Sequence, residues 1–133
     1  MTTTTTPLTA TTTFTSWDEE PGYGEDAPLP RLAHARVAFT YTGDIEATSE
    51  AHFAMYYAAD GTGTSQGFEL VTGTKDGEEG TFVVHHVDDF GGDGVTSEYS
   101  VVEGSGTGVF AGLAGSGSYQ LGHGTKEWEW SLS

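Results

Sequence analysis

Cysteine is absent from the 133 residues of the chain, and basic side chains are almost as scarce. Without cysteine there can be no disulfide, no thiolate nucleophile and no cysteine-ligated zinc site. Only 4 Lys and Arg residues stand against 20 Asp and Glu residues, which gives a formal net charge of -16 at pH 7. This charge repels phosphate backbones and anionic lipid surfaces. We therefore expect neither nucleic acid nor a membrane as a partner.

Long apolar runs are missing as well. No segment approaches the roughly 18 apolar residues of a membrane-spanning helix. The first residues contain a run of threonines but neither the basic region nor the apolar core of a signal peptide. We expect a cytoplasmic protein in which residues 1–8 form a disordered threonine-rich leader and residues 9–133 form a single domain.

Apolar and polar residues alternate along most of the chain, and turn-forming glycines separate the alternating stretches. This period of two predicts β-strands, and no window carries the apolar stripe of a helix. Short turns without a crossover helix favour an all-β fold for residues 9–133, an antiparallel up-and-down barrel of about eight strands. The predicted strands cover about 9–18, 31–42 and 45–58, then one segment on each side of Asp76-Gly77. Three more follow: about 95–103, one strand within the glycine-rich stretch 103–121, and 125–132.

Two acidic segments that are rich in glycine or proline predict irregular structure. Residues 19–30 form either a lid or a solvated connection between strands. Residues 88–94 could suggest a calcium loop, but they lack the twelve-residue spacing and the bidentate Glu of an EF-hand. We interpret this second segment as a turn that begins at Asp88.

Two Asp-Gly pairs, which follow the third and fourth strands, are typical of two-residue hairpin turns and predict how the central strands pair. The first turn places His52 opposite Glu69. The second places Gly67 opposite His86. Because successive residues of a strand face opposite sides, His52, Glu69 and His86 would then share one face of the sheet. A slip of one residue would exchange the faces.

Four segments carry a resemblance to a known family. They are Trp17 to Pro21, Gly67-Phe-Glu-Leu-Val-Thr-Gly73, Gly104-Ser-Gly-Thr-Gly108 and the closing Trp128-Glu-Trp130. Across most of the chain this pattern resembles the bacterial family of unknown function DUF3224, and the glycine-rich segment resembles that of the allene oxide cyclase and dirigent barrels. The resemblance implies an allene oxide cyclase-like barrel with the Glu69 position facing its interior. The cyclases, the dirigent proteins and the uncharacterised family do not share one activity, so the resemblance does not select a function.

An inward-facing Glu69 beside histidines defines a candidate site. A carboxyl group in apolar surroundings has a raised pKa, and a neighbouring imidazole can hold or accept its proton. Glu69 and His86 are therefore the candidate catalytic residues of a cofactor-independent isomerase or cyclase that acts on a small hydrophobic or amphipathic molecule. The candidate ligand-binding residues are aromatic or imidazole side chains: Trp17, His52, Tyr56, Tyr99, Trp128 and Trp130.

Other functions fit the same residues. The barrel could bind a ligand without catalysis, or guide a reaction as the dirigent resemblance implies. An interior filled with side chains would instead make it a structural barrel that forms homo-oligomers through its opposite face, which includes Phe53 and Phe68. His52, Glu69 and His86 also have the composition of a mononuclear metal site, but no short motif supports one and we predict no metal. Since no redox cofactor motif is present, we expect no cofactor.

Overall fold

The structure, a computed structural model, describes residues 8–20, 28–92, 94–122 and 124–133. These residues form nine β-strands and no helix. The strands are β1 Leu8–Glu20, β2 Arg31–Gly43, β3 Glu46–Tyr57, β4 Gly63–Lys75, β5 Glu78–Gly91, β6 Gly94–Val101, β7 Thr107–Gly108, β8 Ser116–Leu121 and β9 Glu127–Leu132. None of the described segments is a helix that could cross a membrane.

Eight of the strands form one antiparallel sheet that curves into a nearly closed barrel. Their order is β8-β6-β5-β4-β3-β2-β1-β9, and the short β7 pairs with β5 outside this path. The two end strands meet at Ser116 and Ser133, whose backbone N–H groups donate to each other's carbonyl oxygens at 3.2 and 3.0 Å. The predicted all-β barrel of about eight strands is confirmed, whereas its likeness to allene oxide cyclase stays a prediction.

The glycine-rich segment between β6 and β8 covers one end of the barrel, which we call the closed end. The strand predicted for the glycine-rich stretch 103–121 is β8, which forms its last part, whereas earlier in the stretch only Thr107 and Gly108 pair with β5. Phe110 then enters the core, where it is 1% exposed, and its ring packs on Phe82 with centroids 4.9 Å apart. The segment therefore acts mainly as a cap. The opposite end, where β3 meets β4 and β5 meets β6, is called the open end.

The two Asp-Gly turns differ, and only one of the two predicted registers is confirmed. Asp76 and Gly77 have positive φ angles of 54° and 81°, as one type of two-residue hairpin turn requires. β4 and β5 therefore pair as predicted. After β3 the loop has three residues, because the Ala58 N–H donates to the Thr62 carbonyl at 2.7 Å and Gly61 takes the left-handed conformation at φ 86°.

The extra loop residue shifts β3 by one position against β4. Phe68 lies opposite His52, and Ala51 lies opposite Glu69. Glu69 faces the interior and is 0% exposed, as predicted. The prediction that His52 shares its face is wrong, because a shift of one residue turns every side chain of β3 to the other side. Phe53, which was expected on the outer face, is part of the core.

Two strand boundaries also differ from the predicted ones. β1 continues to Glu20, and an irregularity between Phe14 and Ser16 leaves Trp17 paired with Val37 of β2. β5 continues to Gly91, so the prediction of a turn that begins at residue 88 is wrong. Strong cross-strand pairing with β4 and β6 outweighs the turn preference of the acidic residues there.

Two predicted segments fall mostly on residues that the structure does not describe. The predicted leader, residues 1–8, lies outside the described residues except for Leu8, which begins β1. Residues 21–27 of the predicted lid or connection also lie outside them. The first two residues of that segment, Glu19 and Glu20, belong to β1.

Candidate functional site

Two acidic residues are buried inside the barrel, Glu69 near its middle and Asp88 nearer the open end. Glu69 on β4 is 0% exposed, and Asp88 on β5 is 6% exposed. Both positions belong to the inward-facing half of an alternating strand, in phase with Val71 on β4 and Val84 on β5. A carboxyl group removed from water needs hydrogen-bond partners, because burying it without hydrogen bonds costs free energy. The two residues meet this requirement to different extents.

The Glu69 carboxyl group is fully engaged. Its Oε2 accepts hydrogen bonds from the hydroxyl groups of Tyr41 and Ser49, the latter at 2.5 Å, and its Oε1 lies 2.6 Å from Nε2 of His86. Burial, together with the negative charge of Glu69, raises the pKa of Tyr41 well above its usual value. Tyr41 therefore stays a hydroxyl donor. We call these four residues the Glu69 cluster.

The Glu69 cluster ties together four neighbouring strands. Tyr41, Ser49, Glu69 and His86 come from β2, β3, β4 and β5, respectively. The imidazole of His86 is 3% exposed and lies against the ring of Phe53, with centroids 5.6 Å apart. The most natural role of the cluster is to fix the four strands in register, because each Glu69 oxygen already has a partner.

A cavity of about 430 Å³ occupies the open end. Its walls are apolar and include eight aromatic side chains, among them Phe39, Phe53 and Phe90. Polar side chains, among them Asp88, Ser65 and Thr125, also stand in this wall. Neither Glu69 nor His86 belongs to the described residues that line the cavity. The cavity therefore lies beside Asp88 and is not lined by the predicted catalytic pair.

Asp88 is only half engaged. Its Oδ2 accepts a hydrogen bond from the Ser65 hydroxyl at 3.1 Å, whereas its Oδ1 has no partner among the described residues. Burial raises the pKa of Asp88, and the neighbouring Ser97 hydroxyl and the charge of His86 oppose that effect. Asp88 thus combines a place in the cavity wall with a buried acceptor oxygen that has no partner among the described residues.

A separate ion pair lies near the rim of the open end. Arg31 Nη2 lies 2.8 Å from Glu19 Oε2, and both side chains are less than 10% exposed. The Tyr57 hydroxyl also donates to Glu19 at 2.8 Å. This buried carboxylate thus has a guanidinium partner from within the chain, and together they join β1, β2 and β3.

The structure brings four of the predicted ligand-binding residues to the interior side of the sheet. Trp17 and Trp128 line the cavity, and Trp17 lies at its rim with 49% of its surface exposed. Tyr99 and Trp130 belong to the packed core, where their rings stack with centroids 6.2 Å apart. The Tyr99 hydroxyl donates to the Ser131 carbonyl at 2.6 Å.

His52 and Tyr56 lie on the outer face, so their predicted interior positions are wrong. Tyr56 is 44% exposed. The Nε2 atom of His52 lies 3.1 Å from a carboxylate oxygen of Glu50, and this contact lowers the pKa of Glu50. The alternative of a metal held by His52, Glu69 and His86 is also wrong, since His52 points away from the other two. Within the described ranges no three acidic or imidazole side chains are placed to hold a metal ion.

Sequence reasoning missed Asp88. The signal that could have found it was the alternation of Phe82, Val84, His86 and Asp88, which places all four on one face of a strand. The acidic, glycine-rich composition of residues 88–94 predicted a turn instead. Two aspartates in succession concealed the pattern, because Asp89 faces outwards while Asp88 faces inwards.

These features define a class of protein: a nearly closed antiparallel barrel with a packed, hydrogen-bonded interior at one end and a cavity of small-molecule size at the other. The chain belongs to the DUF3224 family, described as a protein of unknown function, whose sequence model matches residues 8–132. No curated protein matches the chain.

A solved structure of the same family has a similar fold. It is the crystal structure, at 1.84 Å resolution, of a protein with unknown function from the DUF3224 family of Shewanella oneidensis MR-1. The TM-score is 0.74, the sequence identity is 24%, and the alignment covers 96% of each chain. At this identity the likeness shows the fold alone.

Proposed function

We propose that this protein binds a small hydrophobic or amphipathic molecule in the cavity at the open end, with Asp88 as its polar contact. One observation carries the proposal: a cavity of about 430 Å³ with apolar walls holds a buried carboxyl group that has one unpartnered oxygen. Small-molecule sites typically combine such a volume with apolar walls and a few polar groups. An eight-stranded barrel has room for one ligand of this kind.

A second polar group supports an amphipathic ligand. Trp128 lines the cavity, and its indole N–H has no acceptor among the described residues. The cavity wall thus contains a spare acceptor in Asp88 and a spare donor in Trp128, both of them buried atoms, and the surrounding walls are mostly aromatic or aliphatic. A ligand with an apolar body and one or two polar groups would satisfy both.

The geometry favours binding over catalysis by Glu69 and His86. An isomerase or cyclase would need its proton-transfer group within hydrogen-bond reach of the substrate. Both oxygens of Glu69 are engaged inside the protein, and the cavity is lined by other residues. A non-catalytic binding protein, or one that guides a ligand as dirigent proteins do, requires only the cavity and Asp88.

The test is a fluorescence titration with Nile red, a neutral apolar dye that brightens in apolar surroundings. Val95 lines the cavity, so Val95→Trp should reduce the fluorescence gain at least about fivefold by filling the space. Val87→Trp is the matched control, because Val87 is 45% exposed on the outer face. Leu121→Trp provides a second filling variant. Equal dye binding by all four proteins would refute the proposal.

A further inference from the structure

We propose that the ligand of this cavity is an organic cation, a protonated alkylamine or arylalkylamine whose ammonium group faces Asp88. This inference rests on the proposed function and names the chemical class of the ligand. It depends on three features of the described residues: the unpartnered carboxylate oxygen, the aromatic walls and the charge of the chain. Each of them favours a cation over a neutral or anionic molecule of the same size.

The first feature is the contrast between the two acidic residues of the open end. Glu19 has its counter-ion built in, since Arg31 lies 2.8 Å away. Asp88 has no ion-pair partner in the cavity wall, because none of the described residues that line the cavity is Lys, Arg or His. The nearby imidazole of His86 is hydrogen-bonded to Glu69. A buried carboxylate is strongly stabilised by a cationic donor, so an ammonium group is the ligand group that fits best.

The second feature is the wall of the cavity. Aromatic rings attract a cation to their faces, and the attraction grows when water is excluded. Eight aromatic side chains line this cavity, including Phe14, Tyr57 and Trp128. A hydrophobic amine would place its carbon body against these rings and its nitrogen beside both a ring face and Asp88.

The third feature is the field of the whole chain. A formal net charge of -16 raises the local concentration of cations near the surface and lowers that of anions. This effect acts on any cation and does not depend on a single residue. It therefore has to be separated experimentally from a contact with Asp88.

The experiment displaces Nile red with octylamine, 1-octanol and octanoate, three molecules of similar size whose charges differ. We expect octylamine to bind at least about tenfold more tightly than 1-octanol, and octanoate to bind most weakly. Asp88→Asn should bring the affinity for octylamine down to about that for 1-octanol. Asp89→Asn removes the same charge one residue further along, on the outer face, and should leave octylamine binding nearly unchanged.

Each outcome decides between the two proposals. If 1-octanol binds as tightly as octylamine, the ligand class is wrong while the cavity remains a binding site. If both asparagine variants weaken octylamine equally, the preference comes from the overall charge, and the contact with Asp88 is refuted. If none of the three molecules displaces the dye and Val95→Trp has no effect on its binding, the proposed function itself fails.

A different observation carries a second inference, which concerns the outer face of β4 and β5. Large apolar side chains are exposed there: Phe68 by 57%, Leu70 by 51% and Val87 by 45%. His85 packs beside Phe68, with ring centroids 5.0 Å apart. A contiguous exposed apolar patch on a soluble domain marks an interaction surface.

We infer that a second copy of this chain occupies the patch. The outward-facing residues of β4 from Thr64 to Thr72 include no charged side chain. Two copies that each carry a formal charge of -16 repel one another, and the uncharged outer face of β4 adds no like-charge contact of its own to that repulsion. A basic partner would instead gain more from the acidic remainder of the surface. The patch therefore fits self-association better than a complex with a basic protein.

Sedimentation velocity over a range of protein concentrations tests this inference. The unmodified chain should form a dimer at micromolar concentrations, and Phe68→Glu should shift it to the monomer. Thr11→Glu adds the same charge to an exposed position of β1, three strands away from β4, and should leave the dimer intact. A chain that stays monomeric throughout, or a Phe68→Glu variant that still dimerises, would overturn the inference.

Discussion

Glu69 and Asp88 are two carboxyl groups inside one barrel, yet their surroundings differ. Glu69 has a partner for each oxygen and lies among packed side chains. Asp88 has a partner for one oxygen and borders a cavity. A buried polar group with all its hydrogen bonds made strengthens the fold, whereas one with an unsatisfied atom lowers stability. The comparison therefore separates a residue whose hydrogen bonds support the fold from one that we propose contacts a ligand.

The same division runs along the whole interior. At the closed end Phe82, Phe110 and Trp130 fill the space, and each is at most 1% exposed. At the open end the aromatic rings also contact one another, as Tyr57 and Phe90 do with centroids 5.1 Å apart, but together they surround a cavity. Proteins commonly accept a local loss of stability at the site where they bind a ligand. The open end has the features of such a site.

The largest effect should follow from removing the Glu69 carboxyl group. Glu69→Ala leaves the Tyr41 hydroxyl, the Ser49 hydroxyl and the His86 imidazole without a partner in a buried cluster. We expect the free energy of unfolding to fall by about 3 to 5 kcal/mol. Urea denaturation followed by tryptophan fluorescence measures this change. Glu50→Ala, an exposed control on β3, should shift the midpoint very little.

A loss of less than about 1 kcal/mol for Glu69→Ala would contradict the structural role of the cluster. In that case the four side chains would be a consequence of burial and not a support for the strands. Glu69 would then become a candidate for chemistry again, as the sequence alone suggested.

An effect of intermediate size is expected where the two ends of the interior join. Gly67 lies on β4 between Ser65 and Glu69, and a Cβ atom there would stand 1.9 Å from the carbonyl oxygen of His52 and 2.9 Å from Cα of Phe53. Gly67→Ala should therefore push β3 away from β4 and cost about 2 to 3 kcal/mol. Thermal unfolding measures the loss. A Cβ at Gly92 meets nothing within 4 Å, so Gly92→Ala should leave the melting temperature nearly unchanged.

The architecture of the barrel was largely predictable from the sequence. Period-two alternation specifies strands and their two faces, and short glycine turns specify antiparallel neighbours. The register of β4 against β5 followed from Asp76-Gly77 alone. The register of β3 against β4 did not, because Asp60-Gly61 is compatible with loops of two or three residues and only the packed sheet decides between them.

The candidate site was predicted less well, for the same reason. One residue in the loop after β3 moved His52 and Tyr56 to the outer face. Glu69 was placed inside correctly, but its engagement with Tyr41 and Ser49 depends on side chains that are 20 to 28 residues away in the chain. Long-range contacts of this kind have no local sequence signal. Asp88 did have a local signal: the alternation of β5 places it inwards, although the composition of residues 88–94 indicates a turn.

The smallest of the predicted changes is a gain in stability, which should follow from Asp88→Asn at high pH. Burial raises the pKa of Asp88 in the folded chain above its value in the unfolded chain. Asp88 therefore contributes stability that is fully present below the unfolded pKa and is lost as the pH rises through the folded pKa. Asp88→Asn cannot ionise, so it should be more stable than the unmodified chain at pH 8, by about 3 °C in melting temperature. The difference should shrink as the pH falls towards 4.

Differential scanning calorimetry at several pH values, without ligand, provides this measurement, and Asp89→Asn is again the matched control. The control should show a difference that hardly varies with pH, because Asp89 faces outwards. If Asp88→Asn were less stable than the unmodified chain at pH 8, the ionised Asp88 carboxylate would have sufficient hydrogen-bond partners within the protein, as Glu69 has. The contrast between the two carboxyl groups would then disappear, and Asp88 would need no cationic ligand as a partner. The opposite result would be that Asp88→Asn is more stable at pH 8 and that octylamine raises the melting temperature of the unmodified chain to that of the variant. The cost of the buried charge would then be connected directly to the binding of a cation.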